Sequence, residues 1–314
     1  MTVQEYLERW SLTGAITPAQ FQELSALDRG DRFSLFAELN ILLYLGVVAL
    51  AAGVGLTIRA YSRGLGDVAI LVALTLVVTG CLSFCFSRAH AYSNGKVENQ
   101  GFAFDYVLYL GCLIFAAELG FVEFRFRLLG ERWHDYLLAS SVAYFALAYR
   151  FDNRFVLSLA LSTLAGFFGL QLSYFSFGDS ALRVCALAYG VTVAAAGVTL
   201  HRQDIKKHFL EAYLHVAANV LFVALLSGTF ERGWWLYLLA LVACAAAAVV
   251  SGIRFRRFVF VAYGVLYGYV GITPRLLEGL GVRDFEGVLA YLVVTGTMVI
   301  AGLVVVARQF GREE

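Results

Sequence analysis

The chain has 314 residues, of which 60% are hydrophobic and only 15% charged, and its formal net charge is +1. Soluble domains run at about 45–50% apolar and about 25% charged residues, so this composition excludes a water-soluble globule and predicts an integral membrane protein. The near-neutral charge, with basic residues scattered over short loops, also excludes a general attraction to nucleic acid or to acidic partners.

Residues 1–35 are polar and helical in pattern. Thr2 with Glu5, and Thr17 with Gln20, have the spacing of capping boxes, Pro18 suits a first helical position, and Gly14 suits a left-handed helix end. Leu7 and Trp10, then Phe21, Leu24 and Leu27, recur at helical spacing. The pattern predicts a short soluble helical hairpin. It is too small to be stable alone, so it is expected to pack on the span ends, the headgroups or a protein partner. A basic n-region followed by a short apolar run and a small-residue cleavage site is missing from this stretch, so no cleaved signal peptide is expected.

Ten apolar segments follow that approach the roughly 20 residues needed to cross a bilayer: 41–58, 67–86, 106–122, 136–149, 155–176, 183–200, 210–229, 234–253, 258–273 and 287–307. The predicted fold class is therefore all-α, a polytopic integral membrane bundle of about ten transmembrane helices behind the hairpin. Trp133, Trp234 and Trp235 fall at span edges, where amphipathic rings favour the headgroup layer. With ten spans the amino-terminal side carries fifteen Lys and Arg against nine on the other, so the positive-inside rule predicts that both termini are cytoplasmic. Pro274 is expected to follow a span, leaving no helix with an internal proline. The cysteines Cys81, Cys85, Cys112, Cys185 and Cys244 lie in apolar stretches and read as packed thiols, not as a disulfide framework.

An internal repeat is visible at an offset of about 100 residues. Glu131-Arg132-Trp133 and Tyr136-Leu137-Leu138-Ala139 return as Glu231-Arg232, Trp234 and Tyr237-Leu238-Leu239-Ala240; Arg150-Phe151 and Arg154-Phe155-Val156 return as Arg254-Phe255 and Arg257-Phe258-Val259. The expected organisation is a cytoplasmic hairpin over 1–35, two spans over 36–104, and two four-helix copies over 105–208 and 209–314. An even span count per copy makes the copies parallel, unlike the inverted repeats of many ion-coupled transporters.

The segment Trp10-Ser11-Leu12-Thr13-Gly14-Ala15-Ile16-Thr17, followed by Gln20 and Leu24, resembles the W-x-x-x-G-x-I-[ST] opening of a bacterial predicted-membrane-protein family, the domain-of-unknown-function 2157 family. The glycine-rich first span, Leu45-Gly46 through Gly53-Val54-Gly55, is compatible with it, whereas Arg59-Ala60-Tyr61-Ser62 stands where an Asn-Trp loop is expected. The resemblance implies a bacterial inner-membrane protein with a helical hairpin before a polytopic region, and it carries over no catalytic residue.

Ionisable groups at membrane depth are costly and mark candidate sites. Glu118 lies within the third predicted span, and Glu211, His215 and Asn219 recur every four residues on one face of the seventh. One reading makes Glu118 and His215 part of a proton or ion path; the other makes these groups interhelical hydrogen-bonding glue. Gly264 and Gly268 form a G-x-x-x-G packing signal. His201, Arg202, Lys206, Lys207 and His208 form a basic loop expected to set topology and meet anionic lipid. Phosphate-loop, nucleophile-elbow and zinc-helix motifs are absent, and Cys81 with Cys85 finds no further ligand in its span, so no cofactor or metal is expected. The loops offer no matched acid and base. The favoured function is a non-enzymatic scaffold or regulatory membrane protein whose residues 1–35 bind a protein partner; the alternative is a secondary transporter or channel.

Overall fold

The computed structural model describes residues 3–17, 66–97, 101–172, 180–231, 233–281 and 284–312, with isolated positions among residues 20–53. Among the described residues all regular structure is helical. The helices are α1 (Val3–Leu12), α2 (Asp67–Arg88), α3 (Phe102–Phe126), α4 (Asp135–Phe151), α5 (Arg154–Leu172), α6 (Ser180–Arg202), α7 (Leu210–Gly228), α8 (Trp234–Arg254), α9 (Phe258–Gly279) and α10 (Phe285–Arg312). The predicted span 41–58, most of the hairpin's second helix and the Thr2–Glu5 box lie outside the described residues.

Two local features of the amino-terminal segment are described. Gly14 takes the left-handed φ of +71° just past α1. Thr17 and Gln20 form a reciprocal box: the Thr17 backbone N–H donates to Gln20 Oε1 at 2.9 Å, and the Gln20 N–H donates to Thr17 Oγ1 at 3.3 Å.

Among the described residues, seven helices are long and apolar enough to cross a membrane: α2, α3 and α6–α10. The two that fall short are α4, with 17 residues, and α5, whose apolar part is Arg154–Gly169. At 1.5 Å per residue α4 is about 26 Å long, under the roughly 30 Å hydrocarbon core.

The chain divides into two compact units, Tyr44–Ala245, and Ala246–Glu314 with Met1–Leu43. The division cuts through α8. It describes packing, whereas the repeat frame describes sequence likeness. In the larger unit, consecutive helices pair closely as α2 with α3, α4 with α5, and α6 with α7, while α5 also meets α3, α6 and α7. Accordingly α5 carries the core: Val156, Leu157, Ala160 and Leu161 are essentially inaccessible and pack with Leu108, Tyr144, Ala148, Tyr213 and Ala217.

Neighbouring helices add hydroxyl contacts to otherwise unused carbonyl lone pairs. Tyr144 donates to the Cys112 carbonyl at 2.7 Å, Tyr189 to that of Leu161 at 2.6 Å, and Ser141 to that of Ala160 at 3.0 Å. Between α6 and α7 the approach is close at Gly197 and Gly190, where an added Cβ would lie 2.6 Å from Tyr213 Cβ and 2.6 Å from Leu221 Cγ. Only a residue without Cβ lets the two backbones come this near.

In the smaller unit, α9 buries Gly264, Gly268 and Gly271 on one face, so the G-x-x-x-G pair does lie in packing. Tyr269 and Thr295 share a hydroxyl hydrogen bond of 2.8 Å between α9 and α10. One expectation is corrected here. Pro274 does not follow a span; it lies inside α9, which continues to Gly279. Proline has no N–H for the carbonyl four residues back, and in membrane helices such a freed group is tolerated because neighbouring helices and hydroxyls re-satisfy it.

Candidate functional site

The four polar residues read from the spans divide into two groups. Glu211, His215 and Asn219 share one face of α7, as the four-residue spacing requires. His215 Nε2 is 3.8 Å from Glu211 Oε1, and Asn219 Nδ2 donates to the His215 backbone carbonyl at 2.8 Å. The group gains a partner that the helix pattern could not reveal: Arg154, at the start of α5, places Nη1 3.3 Å from Glu211 Oε2. Glu118 instead belongs to the α2–α3 pair, where its carboxyl group meets Thr75 Oγ1. That hydroxyl also reaches the Leu71 carbonyl at 2.9 Å. A hydroxyl has one proton, so it donates to one of these acceptors at a time. Ser158 and Thr163 on α5 bond to the carbonyls of Arg154 and Leu159 on their own helix.

The densest polar site is one that sequence reading missed. It forms where the segment 89–97 and the turns α4–α5 and α6–α7 meet. Asp152 ends α4 in the left-handed conformation, φ +58°, a state that short polar residues tolerate. Its Oδ1 accepts from Lys206 Nζ at 3.0 Å and from His208 Nε2, while Oδ2 accepts from the Val97 backbone N–H at 2.7 Å. Lys206 is itself in the left-handed region and 1% exposed; it reaches the Gly95 carbonyl at 3.4 Å and sits 5.4 Å over the Tyr92 ring. Burial alone raises the Asp152 pKa. The Val97 N–H and the Lys206 and His208 donors outweigh it, so the carboxyl is held below the ordinary carboxylate value.

Asn153 anchors the site's edge. Its Oδ1 caps α5 by accepting the Val156 N–H at 2.9 Å, and its Nδ2 donates to Asp105 on α3 at 2.8 Å. Between these groups lies a mixed polar cavity of about 270 Å³, bordered by Lys96, Asp105, Asp152, Arg154 and His208.

Two expectations change as a result. The loops do hold a matched acid and base, Asp152 and His208. The basic loop after α6 also does not present all its charges outward: Lys206 and His208 turn inward to Asp152, while Lys207 pairs with Asp204 at the surface. The local signal was available in part, since Asp152-Asn153 between two apolar runs is an Asx pair suited to a turn and a helix cap. The choice of partners was not, because Asp152 and Lys206 are remote in sequence. Among the described residues, no cluster of three or more His, Cys, Asp or Glu side chains is placed to hold a metal ion, and the five cysteines are free thiols.

Apolar helices paired antiparallel, with ion pairs gathered at their ends, define a polytopic integral membrane protein. Residues 8–157 match the family model described as "Predicted membrane protein (DUF2157)", the family that the Trp10–Thr17 opening resembles. The match covers Asp105, Glu118, Asp152 and Asn153, and it ends within α5. No curated protein and no solved structure matches the chain.

Proposed function

We infer that the chain is a non-enzymatic scaffold or regulatory protein of the bacterial cytoplasmic membrane, with ten spans, both termini in the cytoplasm, and residues 1–35 offered to a protein partner. The observation that carries this reading is how the polar groups are used. Glu118 is bonded within one helix pair, and Glu211, His215 and Asn219 are bonded within another set. Asp152, the carboxylate best placed for acid–base work, accepts from three donors in a buried loop junction. Such a carboxylate, with its acceptor oxygens already engaged, serves to hold loops in position.

A secondary transporter or channel is the second reading. Pro274 inside α9 favours it, because a proline-interrupted span is a common route to an ion-binding break. Proteoliposomes containing the full chain and a pH-reporting dye separate the two. Under an imposed gradient, a scaffold gives proton flux equal to that of empty vesicles, and deletion of residues 1–35 abolishes a stoichiometric association seen by cross-linking in native membranes. Flux above that of empty vesicles that disappears in Glu118→Gln or His215→Ala refutes the scaffold in favour of transport.

A further inference from the structure

Arg183 has no role in either reading above, although it is an arginine in the first turn of a membrane helix with only 4% of its side chain exposed. Its Nε donates to Ser227 Oγ on α7 at 3.2 Å, and its guanidinium lies 5.1 Å over the Tyr237 ring. Nη2 is 3.4 Å from Glu231 Oε1, an ion pair by distance, yet makes no hydrogen bond among the described residues. Glu231 is the more accessible partner, with 40% of its side chain exposed. A buried guanidinium has donors fixed in a plane and a strong demand for acceptors. Among the described residues, part of that capacity is unused.

Arg183 also forms one end of a cleft between α5, α6 and α7. The cleft has a volume of about 390 Å³ and is walled by small and apolar residues, among them Gly166, Gly169, Ala186, Val220 and Val223. Its polar lining comes from Arg183, Ser227 and Asn219. The Asn219 amide is turned to its own helix, and Ser227 is engaged by Arg183 and by the Ala224 carbonyl. From Ser227 to Asn219 the α7 wall runs about 12 Å along the helix axis. A cleft with mostly apolar walls therefore carries one cation, on the first turn of α6.

We propose that this cleft is a binding site for an anionic phospholipid, with one acyl chain lying against the glycine-lined wall of α5 and the phosphodiester paired to Arg183. The volume falls within the range of about 300–1,000 Å³ typical of ligand sites. An apolar cavity of this kind does not hold water well. A peptide occupant would bring backbone N–H and carbonyl groups against a wall with almost nothing to satisfy them, at a cost for each, whereas an acyl chain carries no polar atoms. The guanidinium fork matches a phosphodiester in plane and charge, and Glu231 is the internal anion that the headgroup displaces or supplements. The proposal is independent of whether the protein scaffolds or transports.

The test is native mass spectrometry of the full chain in detergent, titrated with phosphatidylglycerol, with phosphatidylcholine of the same acyl chains, and with inorganic phosphate. The wild type binds phosphatidylglycerol about tenfold more tightly than phosphatidylcholine, the scale of one charge-assisted pair, and inorganic phosphate does not compete. Arg183→Gln loses the preference. Gly169→Leu weakens both lipids, since a Cβ there meets Leu182 Cδ1 only at 3.9 Å and the larger side chain fills the cleft. Glu231→Gln leaves the arginine in place, removes its competitor and raises phosphatidylglycerol occupancy, so the proposal stays open to refutation even if Arg183→Gln fails to fold. An unchanged lipid preference in Arg183→Gln, no gain in Glu231→Gln, or displacement of the lipid by inorganic phosphate alone overturns it.

Discussion

Replacing Asp152 by alanine strips Lys206 of its carboxylate while leaving the ammonium at 1% exposure. What remains within reach is the Gly95 carbonyl at 3.4 Å and the Tyr92 ring at 5.4 Å, and neither carries a compensating charge. His208 and the Val97 N–H lose the same acceptor. Breaking a buried pair by removing one partner costs about 3–5 kcal/mol, because a charge is stranded. Asp152→Ala is therefore expected to lie in that range, whereas removing both charges in Asp152→Ala/Lys206→Met is expected to cost less than the sum of the single changes by about 1–3 kcal/mol. The assay is equilibrium unfolding in mixed micelles, followed by far-ultraviolet circular dichroism, with the four proteins of the cycle measured side by side. An Asp152→Ala variant within about 0.5 kcal/mol of wild type, the ordinary range for surface substitutions, would refute the account of the junction as a buried, charge-locked joint.

The depressed Asp152 pKa gives a sign as well. Its stabilisation is fully present above the unfolded-state value, about pH 4, and is lost as pH falls through the lower folded-state value; acid unfolding of Asp152→Asn should be shallower than that of wild type below about pH 4. Asn153→Ala removes the α5 cap and the bond to Asp105 together, and a loss of about 0.5–2 kcal/mol is expected in the same unfolding assay; no loss would mean that another group caps α5. Gly197→Ala forces a Cβ to 2.6 Å from that of Tyr213, and an overpacking cost of about 1–3 kcal/mol is expected, read as a lowered melting temperature. A melting temperature at or above that of wild type would show that α6 and α7 can separate freely at this level.

What the sequence disclosed was whatever depends on near neighbours. The Thr17–Gln20 box, the Gly14 helix end and the Glu211–His215–Asn219 face are set by intervals of three or four residues, and each forms as its spacing demands. The apolar runs likewise foretold where α2 to α10 lie, because hydrophobic content over a stretch decides membrane helices with little help from partners. Arg154, Thr75 and Lys206 show the other side. Each finds its partner through packing between helices or loops far apart in the chain, and no periodicity encodes such a meeting. Pro274 was misjudged for a related reason: proline disfavours a helix locally, and in α9 packing and the hydrophobic surroundings prevail. Lys206 and His208 looked like an outward basic patch because charge alone does not say which way a side chain turns.

The shortness of α4 reaches beyond the protein itself. Leu138 and Val142 on the 17-residue α4 are exposed, and the 25-residue α3 stands in the same unit. Where a helix this short crosses a bilayer, lipid beside it must compress to match, at a fraction of a kcal/mol per Å of mismatch. If α4 spans the membrane, the bilayer around the protein would be thinner at α4 than at α3. A neighbour with a short span of its own would gain by sitting in such a dimple, a route to association through the elasticity of the bilayer that needs no direct contact.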